Sequence, residues 1–591
     1  MPEHHTSTPP PRRPATAATL AVREARDFLV AHADDYDGAV GGFRWPEVDA
    51  FNFALEWFDV VAGEHPDRPA VVIAADPGHD STDSTDSVST HTYGQLSARS
   101  DQVAAWLTKL GMRRGDHVIV MLPNIIELWE ILLGLMKIGA VAIPTSTLLS
   151  PADLAFRVRR AGAKFAIAPH SLKRRFRSTP RSLTKIGIGA ITPPGWANYA
   201  DSLKAPATYT PHDPTPACDT CLLYFTSGTT SHPKLVRHTQ VSYPIGHLST
   251  MWWLGLRPGD VHLNISSPGW GKHAWSNFFA PFLAQATVFI VDYERFDAAA
   301  LMRVMDRHHV TALCAPPTVW RMLIQADLGQ LARPPRELTG AGEPLSPEVI
   351  AQVRAAWGAT IRDGFGQTEM TCAIGNSPGQ PVKDGSMGRP LPGYHVRLLD
   401  PATGEPSETE GEICLDLSLP ALPLATGYHQ DAELTAQAYH DGYYHTGDLA
   451  TRDADGYLTY VGRSDDVFKA SDYKISPFAL ESILLEHPYV TEVAIVPSPD
   501  PLRAAVPKAF VRLKEGLAET GQNGQEAARA IFDHARERLS GYELVRIVEF
   551  VQELPKTISG KIRRGELREQ EATRVAHGDH PTTEYRERDF R

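Results

Sequence analysis

The sequence predicts an α/β protein with a large N-terminal domain, a β-rich subdomain and a smaller α+β domain at its C-terminal end. Three observations carry this expectation. From Thr92 to about Ile361, amphipathic helical stretches alternate with short apolar runs, the pattern of crossover units and largely parallel sheets. After about Asp400 the texture changes to short strand-like runs separated by Gly, Asp and Thr turns. A polar, charged stretch at Gly462–Asp466 (GRSDD) then precedes a further mixture of helical and strand-like segments.

In chain order, the proline cluster of the first twenty residues reads as a disordered tail. Ala70–Ala74 reads as a strand, and Asp76–Thr90 (DPGHDSTDSTDSVST) as a solvated loop inserted after it. Ser97–Leu110 has helical spacing, His117–Leu122 reads as a buried strand, Ile125–Ile138 is helical, and Ala140–Pro144 is another strand. Gly411–Leu415 and Gly456–Val461 are strands of the β-rich part, which is expected over about 380–463. Beyond a candidate hinge at Gly462–Asp466, Pro477–Glu486 reads helical, Val490–Val496 and Lys508–Leu513 read as strands, and Ala527–Leu539 as a helix. The expected division is a tail at 1–20, an N-terminal domain at 21–463, a C-terminal domain at 464–568 and a charged tail at 569–591.

At 591 residues the chain exceeds one ordinary domain and can bury a large core without covalent staples. A net charge of −12 argues against nucleic-acid binding, which needs clustered Lys and Arg. Five scattered cysteines do not make a disulfide framework, and the lone Cys218-x-x-Cys221 pair has no second ligand pair nearby for zinc. The most apolar stretch, Ile131–Pro144, is interrupted by Lys137 and falls short of the ~18 residues a membrane span requires. With no apolar h-region near the start, a cytoplasmic protein is expected.

The sharpest local signal is Tyr224–Lys234, YFTSGTTSHPK. An apolar strand runs into a loop of hydroxyls and glycine that ends in a lysine. Such a loop suits a polyphosphate, since hydroxyls and backbone N–H groups surround its oxygens while Lys234 supplies charge. It is not a Walker loop. Downstream follow GFGQTE at Gly364–Glu369, YHTGD at Tyr444–Asp448, GRSDD at Gly462 and PKTISGKIRR at Pro555–Arg564.

In this order and spacing the motifs resemble the adenylate-forming (ANL) superfamily of acyl-CoA synthetases, luciferases and nonribosomal adenylation domains, from about Phe51 to Arg568. PGW at Pro268–Trp270, GEPL at Gly342–Leu345 and SPDPLR at Ser498–Arg503 are most similar to the medium-chain acyl-CoA synthetases. The resemblance implies a two-sheet N-terminal domain with a mobile C-terminal domain, a carboxylic acid substrate, ATP or AMP, Mg²⁺ and coenzyme A. A homodimer is the family-level expectation.

By motif match, the resemblance implies that Thr226, Ser227, Gly228, Thr229, Thr230 and Lys234 cradle the β- and γ-phosphates. Thr368 would touch the α-phosphate and Glu369 would hold the metal. Gly342, Glu343, Pro344, Gly364, Phe365 and Gly366 would surround the adenine, and Asp448 and Arg463 would bind the ribose hydroxyls. Lys561 would bridge the substrate carboxylate and α-phosphate, with Asp465 at the hinge. Trp270, His273 and Trp275 would border the acyl pocket, and Ser471 and Asp472 the coenzyme A tunnel.

Two loops depart from the family pattern. The phosphate loop carries Ser231 where the family has its second glycine, followed by His232, and Asp472 replaces a glycine in the tunnel loop. Glycine reaches left-handed backbone freely, whereas serine pays roughly 1–2 kcal/mol there. Weak adenylation is therefore expected, with thioesterification of an acyl-adenylate, supplied by a partner adenylating enzyme, as the remaining activity. Loading of a carrier-protein thiol and a non-catalytic nucleotide-binding role are the alternatives.

Overall fold

The computed structural model describes residues 13–75, 88–226, 233–470, 473–500, 503–539, 543–557 and 561–590. Two large sheets build the N-terminal part. In the nine-stranded one, six consecutive strands run parallel, from Ile361–Gly366 through Glu337–Ala341, Ala312–Ala315, Val261–Asn264 and Thr287–Asp292 to Pro69–Ala75, with antiparallel strands at both edges. The seven-stranded sheet is parallel except where Thr220–Thr226 pairs antiparallel with Lys234–Thr239. A six-stranded antiparallel sheet follows within residues 396–463, and a four-stranded sheet spans Val490–Arg586.

The helices begin and end for local reasons. Thr92 and Gln95 form a capping box at the start of Tyr93–Lys109, and Gly139 closes Ile126–Ile138 in left-handed backbone. These two helices pack closely, and a Cβ on Gly134 would lie 2.8 Å from Val103. Lys137, which interrupts the apolar stretch, is fully buried, with Nζ 2.9 Å from Asp59 and 2.7 Å from Asp101. The largest core cluster, including Trp57, Trp129 and Trp253, joins residues of both large sheets. Among the described residues no helix is long and apolar enough to cross a membrane.

Both tail expectations need correction within the described residues. Helix Ala17–Ala31 begins inside the expected disordered tail, because Thr16 caps it and Thr19 and Val22 are buried. At the other end, helix Arg564–His577 and strand Glu584–Arg586 continue past residue 568. The charges that read as a solvated tail are satisfied inside: Lys508 Nζ lies 2.8 Å from Glu549, 2.6 Å from Glu571 and 2.7 Å from Glu584, and all four side chains are buried. In the inserted loop, Val88–Thr92 is an edge strand, and residues 76–87 lie outside the described ones.

His262, on the parallel strand Val261–Asn264, is fully buried and held neutral, its pKa lowered by desolvation to about 4. Its contribution to stability is complete above the unfolded value of about 6.5 and is lost as pH falls toward the folded one. Between pH 7 and 5 this loss amounts to about 2 kcal/mol. Replacing His262 with leucine should remove that share of acid sensitivity in thermal melts at the two pH values; an unchanged pH dependence would contradict the assignment.

Candidate active site

Thr226 and Lys234, at the two ends of the hydroxyl-rich stretch, face each other as partners in the antiparallel ladder. Ser227, Gly228, Thr229, Thr230, Ser231 and His232 themselves lie outside the described residues. Lys234 Nζ lies 5.4 Å from the centroid of the Tyr428 ring. The Tyr428 hydroxyl donates to Glu369 Oε1 at 3.0 Å. Burial, and then the Glu369 charge, raise the Tyr428 phenol far above its ordinary range, so it stays a donor.

Thr368 and Glu369 follow the strand Ile361–Gly366. The Thr368 carbonyl is held by His238, whose Nε2 lies 2.7 Å away while Nδ1 faces Ser242 Oγ at 3.0 Å. Desolvation lowers the His238 pKa to about 3. A neutral ring with its proton on Nε2 satisfies both contacts, donating to the carbonyl and accepting from the serine hydroxyl. Glu369 is half-buried and makes no ion pair among the described residues. A half-buried carboxylate without a cationic partner fits an oxygen-seeking divalent ion.

Asp448 and Arg463 are partners across two antiparallel strands, Tyr443–Arg452 and Leu458–Arg463. Asp448 is buried; its Oδ1 accepts from the Tyr460 hydroxyl at 3.1 Å, and its Oδ2 accepts from Gln367 Nε2 at 2.5 Å. Arg463 Nη1 stands 3.5 Å from Asp448 Oδ2 and donates to the Thr446 carbonyl at 3.1 Å. Burial raises the Asp448 carboxyl, while Arg463, Gln367, Tyr460 and Lys561 oppose that shift. Lys561, exposed in the C-terminal part of the chain, is the smallest of these contributions. Its backbone is tied down, with Lys561 N–H donating to Thr557 Oγ1 at 3.2 Å. Asp465 sits between the two parts, its carboxylate 3.5 Å from Arg463 Nε and its carbonyl accepting from Arg568 at 2.6 Å.

Alternation along Ile361–Gly366 places Gly364 and Gly366 on one face and Phe365 on the other. On the glycine face, a Cβ at Gly364 would lie 2.6 Å from the Trp253 ring, and one at Gly366 2.5 Å from the Trp275 ring. The loop of Gly342, Glu343 and Pro344 is anchored beside this strand. Asp363 accepts from the backbone N–H of Leu345 at 3.3 Å and of Gly364 at 2.9 Å, and Lys272 donates to the Ala341 carbonyl at 2.9 Å. Trp275 is buried, and its Nε1 donates to the Tyr243 hydroxyl at 2.8 Å. Trp270 is half-buried, whereas His273 is buried against Asn124, with Nε2 2.9 Å from Oδ1. Ser471 and Asp472 lie outside the described residues.

The motif residues therefore form two groups: Lys234 with Glu369 through Tyr428, and Asp448 with Arg463, Gln367 and Tyr460. Residue-by-residue reading of the sequence missed Tyr428 and His238 and did not single out Gln367. Gln367 lies within GFGQTE, which could have flagged it, but Tyr428 and His238 carry no local signal.

Residues 58–428 match the model of the AMP-binding enzyme family, and residues 479–561 match that of the AMP-binding enzyme C-terminal domain. The chain belongs to this family. It is 41% identical over 498 residues to 4-hydroxybutyrate--CoA ligase 1 of Metallosphaera sedula, covering 83% of this chain and 87% of that protein. It is 37% identical over 491 residues to the mitochondrial acyl-coenzyme A synthetase ACSM3 of Mus musculus, covering 81% and 84% respectively. Among solved structures, the anthranilate CoA ligase AuaEII in complex with anthranoyl-AMP matches with a TM-score of 0.77 and 27% identity over 90% of this chain and 99% of that one. These likenesses agree with the resemblance to the medium-chain synthetases. As an AMP-binding enzyme of this kind, the protein is an AMP-forming acid–CoA ligase that works through an acyl-adenylate.

Proposed function

We propose that both groups of side chains serve adenylation, that coenzyme A transfer follows a turn of the C-terminal domain, and that adenylation is the slower half. In the first half, a carboxylate oxygen attacks the α-phosphorus of ATP, the bond to the β-phosphate breaks, and pyrophosphate leaves. In the second, the sulfur of coenzyme A attacks the acyl carbon and AMP leaves with the bonding electrons. Neither step needs a protein nucleophile; both need charge neutralisation and positioning.

In this reading Thr226, Ser227, Gly228, Thr229, Thr230 and Lys234 hold the β- and γ-phosphates, and Thr368 meets the α-phosphate. Glu369 holds Mg²⁺, which when bound neutralises phosphate charge. Phe365 stacks on the adenine beside Gly342, Glu343 and Pro344, with Gly364 and Gly366 giving the strand its close packing. Asp448 and Arg463 take the ribose hydroxyls. Lys561 supports the carboxylate and α-phosphate during adenylation and leaves as the C-terminal domain turns about Asp465, bringing Ser471 and Asp472 to the pantetheine path. Trp270 and Trp275 bound the acyl pocket, with His273 supporting it from the core.

The observation that carries this reading is the buried Asp448, held by Gln367 of the GFGQTE motif and by Tyr460, and facing Arg463 across two strands. The slower adenylation rests on Ser231, which stands where glycine would turn the phosphate loop without strain. Phosphate-loop residues serve adenylation alone, so the second half-reaction escapes this cost, and a preformed adenylate from a partner enzyme would be used well. The test of the ligase itself is a panel of short hydroxy, medium-chain aliphatic and aromatic acids, each with Mg-ATP and coenzyme A. Acyl-CoA and AMP formed together from at least one acid are expected; AMP binding without acyl transfer from any acid or its adenylate would contradict it.

A further inference from the structure

A short segment outside every recognised motif grips both halves of the phosphate site. Residues 425–429 run beside the strand Lys234–Thr239: Arg237 N–H donates to the Gly427 carbonyl at 3.0 Å, Thr426 N–H to the Arg237 carbonyl at 3.0 Å, and His429 N–H to the Leu235 carbonyl at 2.7 Å. Val236 and Tyr428 form an antiparallel bridge. The same segment reaches Glu369 twice, through Ala425 N–H to the Glu369 carbonyl at 2.7 Å and through the Tyr428 hydroxyl to Oε1 at 3.0 Å. Backbone and side chain of the acidic residue are therefore fixed by one strap, and that strap is also laced to the strand that carries Lys234.

Tyr428 is the point where these attachments meet. Its hydroxyl binds one Glu369 oxygen and leaves the other to a ligand, while its ring face lies under the Lys234 ammonium. Four tyrosines, Tyr243, Tyr428, Tyr439 and Tyr444, feel the Glu369 charge, and Tyr428 is the one that hydrogen-bonds to it among the described residues. The strap also resists displacement. Gly427 has φ +112°, and a Cβ there would lie 2.6 Å from Thr435 Cγ2, so the backbone entering Tyr428 takes a conformation that only glycine fits without strain.

We propose that Tyr428 is a positioning residue for the metal–nucleotide: its hydroxyl aims the Glu369 carboxylate at the divalent ion, and its ring seats Lys234 for the phosphates. This inference rests on the assignment of Glu369 and Lys234 made above. Hydrogen bonds that orient a metal-binding carboxylate commonly set metal affinity as strongly as the ligand's own placement, and their loss costs about tenfold or more.

The test is calorimetric titration of the full chain with ATP, in chelator and in excess Mg²⁺, for the wild type, Tyr428→Phe, Tyr428→Ala and Glu369→Gln. Tyr428→Phe keeps the ring and removes only the hydroxyl. It is expected to lose about tenfold of the metal-dependent gain in ATP affinity while binding metal-free ATP like the wild type. Tyr428→Ala should weaken ATP binding in both conditions, because Lys234 also loses its seat. A Tyr428→Phe protein with the full wild-type metal gain, beside a Glu369→Gln protein that has lost it, would overturn the proposal and leave the Glu369 assignment standing. A Glu369→Gln protein with the full gain would overturn both. An equal loss in chelator and in Mg²⁺ for Tyr428→Phe would reduce the tyrosine to a packing role and overturn the proposal as well.

Discussion

Replacing Lys561 with alanine is expected to lower acyl-adenylate formation from acid and Mg-ATP by about 10²–10³, the usual cost of removing one preorganised donor from developing charge. Lys561 is an exposed cation of the PKTISGKIRR motif, beyond Asp465 in the chain. The other described cations of the motif stand against carboxylates: Lys556 Nζ 2.7 Å from Glu492, Arg563 Nη1 3.5 Å from Glu566, and Arg564 Nε 3.0 Å from Glu481 Oε1. Acyl-CoA formation from a supplied adenylate should survive the substitution, because the proposed role of the lysine ends with adenylation. Measuring pyrophosphate release and adenylate consumption separately checks this, and an equal fall in both would place Lys561 in a structural role instead.

The second large effect concerns Ser231. On the proposed reading, changing it to glycine should raise ATP-dependent adenylation by up to about 10²–10³, the scale on which one preorganised donor acts on developing charge. Coenzyme A transfer from a supplied adenylate should not respond, since that step makes no use of the triphosphate loop. A glycine variant with unchanged pyrophosphate release would show that serine is accommodated at this turn without cost.

Much of this molecule was legible in the sequence where the signal is local. The alternation of helical and apolar stretches marked the parallel sheets, because a buried strand and an amphipathic helix write different periods into the chain. Thr226, Lys234, Glu369, Asp448 and Lys561 could be singled out as candidates because each lies in a short motif recognisable by its residues and spacing. What failed depended on partners far away in the chain. The charged stretch after residue 568 looked solvated because Glu571 and Glu584 find Lys508 some 60 or more positions earlier. Thr19 looked like tail because its burial depends on Glu56, whose carbonyl accepts from its hydroxyl. Tyr428 and His238 escaped for the same reason: a lone tyrosine or histidine has no local mark, and their roles arise from contacts with Glu369 and Thr368 across 59 and 130 positions.

The central claim, a ligase whose first half-reaction is the slow one, is tested most directly by feeding the wild-type protein along two routes. One mixture holds an acid that the enzyme accepts, with Mg-ATP and coenzyme A; the other holds the synthetic adenylate of the same acid with coenzyme A, and acyl-CoA is followed by mass in both. The account predicts faster product formation from the adenylate. Equal rates, or a burst of adenylate from ATP that outpaces its conversion to thioester, would contradict it and remove Ser231 as the brake.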